Sequence, residues 1–83
     1  MPRRLRLAEQ WDQFARNVLP IGCSVDQRRE MRRAFYAGCE GMMRAIMGEL
    51  SDGSEVTPGD EQVMRDLHAE MREFAELVKG GRA

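Results

Sequence analysis

The stretch that decides the fold runs from Ser24 to Leu50: SVDQRREMRRAFYAGCEGMMRAIMGEL. Ser24-Val25-Asp26-Gln27 reads as a capping box, with Asp26 suited to the positive end of a helix dipole. From there no proline interrupts the run, and apolar residues recur at helical spacing to Leu50, roughly seven turns. On a wheel of 100° per residue, Met31, Phe35, Gly38, Met42 and Ile46 fall together as a core stripe, flanked by Cys39, Met43 and Leu50. A second arc holds Ala34, Ala37, Gly41, Ala45 and Gly48. Glycine costs a helix about 1 kcal/mol relative to alanine. Gly38, Gly41 and Gly48 therefore ask for a neighbour that needs close approach. We expect Ala34, Gly41, Ala45 and Gly48 to form an oligomer interface, the alternative being that the first helix of the same chain fills the place.

The third arc carries Arg29, Arg33, Tyr36, Glu40, Arg44 and Met47. With Arg28 and Arg32, the helix presents four arginines in the six residues 28–33. Their charges repel and gain nothing from the dipole at that end. The chain holds twelve arginines and a single lysine, and arginine is the residue for planar, bidentate recognition of phosphate or carboxylate. The competing reading is that these side chains pair with acids of the third helix or with water.

Working outward, a helix over about 3–19 precedes this segment. Leu7, Trp11, Phe14 and Val18 recur on one face, and Pro20 and Gly22 end it. Ser51-Asp52-Gly53-Ser54-Glu55 reads as an exposed loop. A third helix over about 58–79 opens with Thr57 as cap and Pro58 in its first turn. Val63, Met64, Leu67, Met71, Phe74 and Val78 make its apolar stripe, and Gly80-Gly81 stops it. No alternating β-branched run suggests a sheet. The expected architecture is one all-α domain over 1–83: a long antiparallel helical hairpin with the N-terminal helix packed on it, assembled as an oligomer.

The chain has 83 residues with 42% hydrophobic, 33% charged and only 6% aromatic content. Such a length supports one thin core, which favours help from a partner subunit. The net charge of −1 excludes a generically basic nucleic-acid binder. Its distribution is uneven: residues 1–48 balance at +4 and residues 49–83 at −5. Cys23 and Cys39 form no CxxC pair, and their separation of roughly 20 Å along the second helix argues for free thiols. Met-Pro-Arg-Arg-Leu-Arg-Leu lacks the apolar stretch of a signal peptide, and no run approaches the ~20 apolar residues of a membrane span. The expectation is a cytoplasmic protein.

Little points to catalysis. His68 is the lone histidine, at the edge of the third helix's apolar stripe. A zinc site would need Cys23, Cys39 and His68 to converge at spacings unlike any finger or ribbon. Gly53 and Gly59 follow no strand, so they make no phosphate loop. A helix-turn-helix is also disfavoured, because the connection from Gly48 to Thr57 is too long. No enzyme, cofactor or metal is expected.

Arg32-Arg33-Ala34-Phe35-Tyr36-Ala37-Gly38, followed by Met42-Met43-Arg44-Ala45-Ile46, carries a resemblance. With Trp11, Leu19-Pro20, Gln27 and Leu67-His68-Ala69-Glu70, it is similar to small proteins encoded by tailed phages. The segment Arg32 to Ile46 also resembles the helical hairpin of phage anti-CBASS and anti-Thoeris sponge proteins. There a glycine stands six residues before an Arg-Ala-Ile triplet, as Gly38 stands before Arg44-Ala45-Ile46. In the sponge pattern this helix comes late in the chain, whereas here another long helix follows. The resemblance implies an oligomer that sequesters a cyclic nucleotide or an ADP-ribose-type immune signal without cleaving it, in the cytoplasm of the infected bacterial host. It implies a ligand role for Arg44. The wheel adds Arg29, Arg33 and Tyr36, with His68 as a possible facing residue. The alternatives are a helical inhibitor that blocks a host defence complex and a small nucleic-acid-binding regulator.

Overall fold

A computed structural model describes residues 2–83. It contains three helices, α1 (Arg6–Val18), α2 (Val25–Glu49) and α3 (Pro58–Lys79), and no strand among the described residues. The protein is all-α. The chain divides into two compact units, Met1–Met42 and Met43–Ala83, with the boundary inside α2.

In the first unit α1 starts three residues later than its sequence pattern suggests, because nothing caps it earlier. Leu5 occupies the cap position and offers no side-chain acceptor. Arg4 instead reaches forward to Glu9 at 2.7 Å. The helix ends as expected: Leu19 turns to extended backbone before Pro20. Gly22 then sits at φ +83°, a conformation that residues with a Cβ rarely adopt. Ser24 opens α2 by accepting a hydrogen bond from the Gln27 N–H at 3.0 Å. Packing between α1 and α2 rests on an aromatic cluster. Trp11 and Phe14 each lie with ring centroids 5.6 Å from Phe35, and 5.8 Å from one another. Trp11, at 4% exposure, and Ala15 are the buried apolar residues.

The α2 stripe is less covered than its pattern suggests. Met31, Phe35, Cys39, Met42, Ile46 and Leu50 are half-buried, but Gly38 and Met43 are exposed, and α2 has no buried residue. The small-residue arc is also open. Ala34, Gly41 and Gly48 are exposed and Ala45 is half-buried. A Cβ placed on Gly38, Gly41 or Gly48 would meet nothing within 4 Å. Within the first unit, α1 therefore does not close on Gly38 or Gly41. Both cysteines are free, as their spacing suggests, and both are half-buried.

The second unit turns on Asp60. It accepts hydrogen bonds from Ser51 N–H and Ser51 Oγ, both at 2.8 Å, and from Thr57 N–H at 3.0 Å. Its own N–H donates to Thr57 Oγ1 at 3.1 Å, completing a capping box. These donors hold the Asp60 carboxyl down at a pKa of about 2. One carboxylate thus caps α3 and closes the loop after α2. At the far end, Arg82 N–H donates to the Leu77 carbonyl and Gly81 N–H to the Val78 carbonyl, with Gly81 at φ +71°, a Schellman stop. The α3 stripe forms, but only Val63 and Leu67 are half-buried. Met64, Met71, Phe74 and Val78 remain exposed.

Candidate functional site

Arg28, Arg29, Arg32 and Arg33 occupy two successive turns near the start of α2. Helical spacing sends Arg29, Arg32, Arg33 and Tyr36 toward one side. Together with Val25 and Arg28 they line an open concavity of about 650 Å³ in the first unit. A second concavity, of about 400 Å³, adjoins it. Arg3, Arg4 and Arg6 line it, and it shares Arg32 and Tyr36 with the first. Tyr36 is thus a half-buried ring with arginines on both sides of it.

The four guanidinium groups are held in two different ways. Arg28 lies over the Trp11 ring at 5.6 Å from its centroid, and Arg32 over the Tyr36 ring at 5.5 Å. Such stacking satisfies the flat face of a guanidinium and leaves its N–H edge for another partner. Arg29 pairs with Asp26 at 3.6 Å, and Arg33 with Glu30 at 3.1 Å. Both acids lie one turn back on the same helix. Exposed pairs of this kind contribute little, about 0–1 kcal/mol each. A phosphate oxygen can therefore displace either carboxylate at small cost.

No protein-family model matches the chain, and no curated protein or solved structure matches it either. The reading of the site therefore rests on its own residues.

Of the expected ligand residues, the structure brings Arg29, Arg33 and Tyr36 to one concavity. Arg44 and His68 belong to the second unit and line neither basic concavity. Arg44 and Glu40 are both engaged by partners, and His68 is exposed. Sequence reasoning noted Arg28 and Arg32 but left them out of the site. The spacing of Arg32 and Tyr36, one turn apart, would have included Arg32. The Arg28–Trp11 contact depends on how α1 lies against α2 and has no local signal. Among the described residues, no group of three or more His, Cys, Asp or Glu stands close enough to hold a metal ion. Among the described residues, no helix is long and apolar enough to cross a membrane.

Proposed function

We propose that this protein is a binding protein without catalytic activity, which holds a phosphate-bearing, nucleotide-derived ligand on the arginine face of α2. The observation that carries the reading is the concavity in which Arg28, Arg29, Arg32 and Arg33 surround Tyr36. A nucleotide supplies anionic oxygens for the guanidinium edges and a flat base for the aromatic ring. Two of the four arginines are already ordered on aromatic rings, which lowers the entropy lost on binding. The openness of the site suits sequestration at a surface shared between copies of the chain.

The biological setting comes from the resemblance of Arg32–Ile46 to phage sponge proteins. On that reading the ligand is a cyclic nucleotide or an ADP-ribose-type immune signal, withdrawn intact in the cytoplasm of the infected host. The antiparallel hairpin and the oligomeric assembly belong to the same proposal. A helical inhibitor of a host defence complex would use the same arginine face against an acidic protein surface.

Calorimetry with cyclic di- and trinucleotides and with ADP-ribose tests the proposal. One of them should bind at tens of micromolar or better. Arg29→Ala and Arg33→Ala should each weaken that binding roughly ten- to a hundredfold, at about 1.5–3 kcal/mol per charge-assisted contact, with helicity unchanged. Arg44→Ala separates the two lines of support: equal loss there favours the resemblance motif, and no loss favours the concavity alone. Failure of every nucleotide to bind overturns the reading in favour of a protein partner. Binding confined to oligonucleotides and falling steeply with salt would favour a nucleic-acid regulator instead.

A further inference from the structure

Seven of the chain's twelve arginines line the two adjoining concavities of the first unit. Arg28, Arg29 and Arg33 belong to the larger one and Arg3, Arg4 and Arg6 to the smaller. Arg32 lines both and lies over the Tyr36 ring. Such crowding costs stability, because like charges repel and arginines at the start of a helix oppose its dipole. Its compensation is uneven. In the larger concavity Asp26 and Glu30 pair with Arg29 and Arg33. In the smaller one Arg4 donates to both carboxylate oxygens of Glu9, from Nε at 3.1 Å and from Nη2 at 2.7 Å. That fork fastens the segment before α1 to the helix itself. Among the described residues, no carboxylate pairs with Arg3, Arg6 or Arg32. The smaller concavity therefore holds three guanidinium groups without an acid, beside an apolar wall from Leu7 and Ala8.

Resting on the nucleotide reading of this face, we propose that Arg3, Arg6 and Arg32 form a second phosphate subsite, so that the ligand is a nucleoside flanked by two phosphoryl groups. One phosphate lies with Arg29 and Arg33, the base lies against Tyr36, and the other phosphate lies with Arg3 and Arg6. Charge favours two groups over one. A single phosphoryl group carries about two negative charges and cannot offset the arginines of both concavities. Distance favours a spacer between them. Arg29 and Tyr36 are seven residues apart, about 10 Å along the helix, and the 3′ and 5′ oxygens of a ribose set two phosphates apart by the width of the sugar. Phosphates that adjoin would crowd into one concavity and leave the charge of the other unrelieved. ADP-ribose therefore fits less well, because its two phosphates adjoin. Once one phosphate of a flanked nucleoside is held, the other is presented to its subsite at high effective concentration.

Calorimetry with three adenosine nucleotides tests the subsite: the 5′-monophosphate, the 5′-diphosphate and the 3′,5′-bisphosphate. The bisphosphate should bind about a hundredfold more tightly than the monophosphate. It should also bind about tenfold more tightly than the diphosphate, which carries the same number of phosphates side by side. Arg3→Ala together with Arg6→Ala should bring the bisphosphate down to the monophosphate's affinity. Arg16→Ala, which removes an exposed charge of the same unit outside both concavities, should leave its binding unchanged. The comparison of ligands on the wild type decides even where a variant fails to fold. Equal affinity for diphosphate and bisphosphate overturns the second subsite and leaves the nucleotide reading standing. A bisphosphate preference that survives the loss of Arg3 and Arg6 does the same. Failure of all three to bind overturns the subsite, and the nucleotide reading falls with it only where the cyclic nucleotides and ADP-ribose fail as well.

Discussion

In Met1–Met42 the tie between elements is aromatic, and in Met43–Ala83 it is a single carboxylate. The first unit closes α1 onto α2 through Trp11, Phe14 and Phe35, with Arg28 laid over the indole. The second closes its loop onto α3 through Asp60, which draws donors from Ser51 and Thr57. The aromatic tie buries area and is insensitive to pH. The carboxylate tie is directional, fixes chain path more than it buries surface, and depends on a charge. Around the aromatic cluster the exposed side chains are arginines, and beyond the Asp60 hub they include Met64, Met71, Phe74 and Val78 of α3.

The contrast is broken most severely at Trp11. Trp11→Ala removes the largest buried side chain from a core whose only other buried apolar residue, among the described residues, is Ala15. Large-to-small changes of this kind cost about 3–5 kcal/mol, comparable with the whole stability of a domain this small. Thermal melts by circular dichroism should show the cooperative transition lost or moved far down. The arginine concavity should go with it, since Arg28 loses the ring that orders it. A variant that melts like the wild type would show that the aromatic cluster does not hold α1.

Asp60 sharpens the comparison through pH. Its folded pKa of about 2 lies below the ordinary 3.8 of an aspartate. A depressed carboxyl pKa means that the contribution is fully present above about pH 4 and is lost as pH falls through about 2. Asp60→Asn keeps the shape but turns an NH2 group toward N–H donors that need an acceptor. It should lower the melting temperature at pH 7, by less than Trp11→Ala does. Its deficit against the wild type should shrink between pH 4 and pH 2. A deficit that stays constant over that window would mean that the charge of Asp60 is not what holds the loop.

The same two ties show how far the sequence could be read. Helix identity and most ends were legible because their causes are local: Ser24 and Thr57 as caps, Pro20 and Gly81 as stops. Asp60 was legible as a first-turn acid but not as a hub, because its use depends on where Ser51 returns in space. Tyr36 with Arg29 and Arg33 could be placed on one arc from periodicity alone. The exposure of Phe74 and Val78 could not, since a helical stripe reads identically whether its cover comes from the same chain or another. For the same reason Gly41 and Gly48 signalled a close neighbour, and neither unit supplies one by itself.

Those glycines give the smallest and most discriminating test. Gly41 falls in the first unit and Gly48 in the second, and a Cβ at either position has open space around it. Gly41→Ala and Gly48→Ala should therefore each stabilise α2 by about 0.5–1 kcal/mol, the ordinary helix preference of alanine over glycine. The two effects should be equal and additive in urea unfolding, because the positions are two turns apart and share no neighbour. If the arc of Ala34, Gly41, Ala45 and Gly48 packs against another subunit, the sign reverses. A methyl group would then intrude on the approaching backbone, and Gly41→Leu would reduce the assembled mass in light scattering. Gain at Gly48 together with loss at Gly41 would place that contact on the first unit alone, next to the arginine face. Gain at both positions would show that no backbone of another subunit packs against this arc.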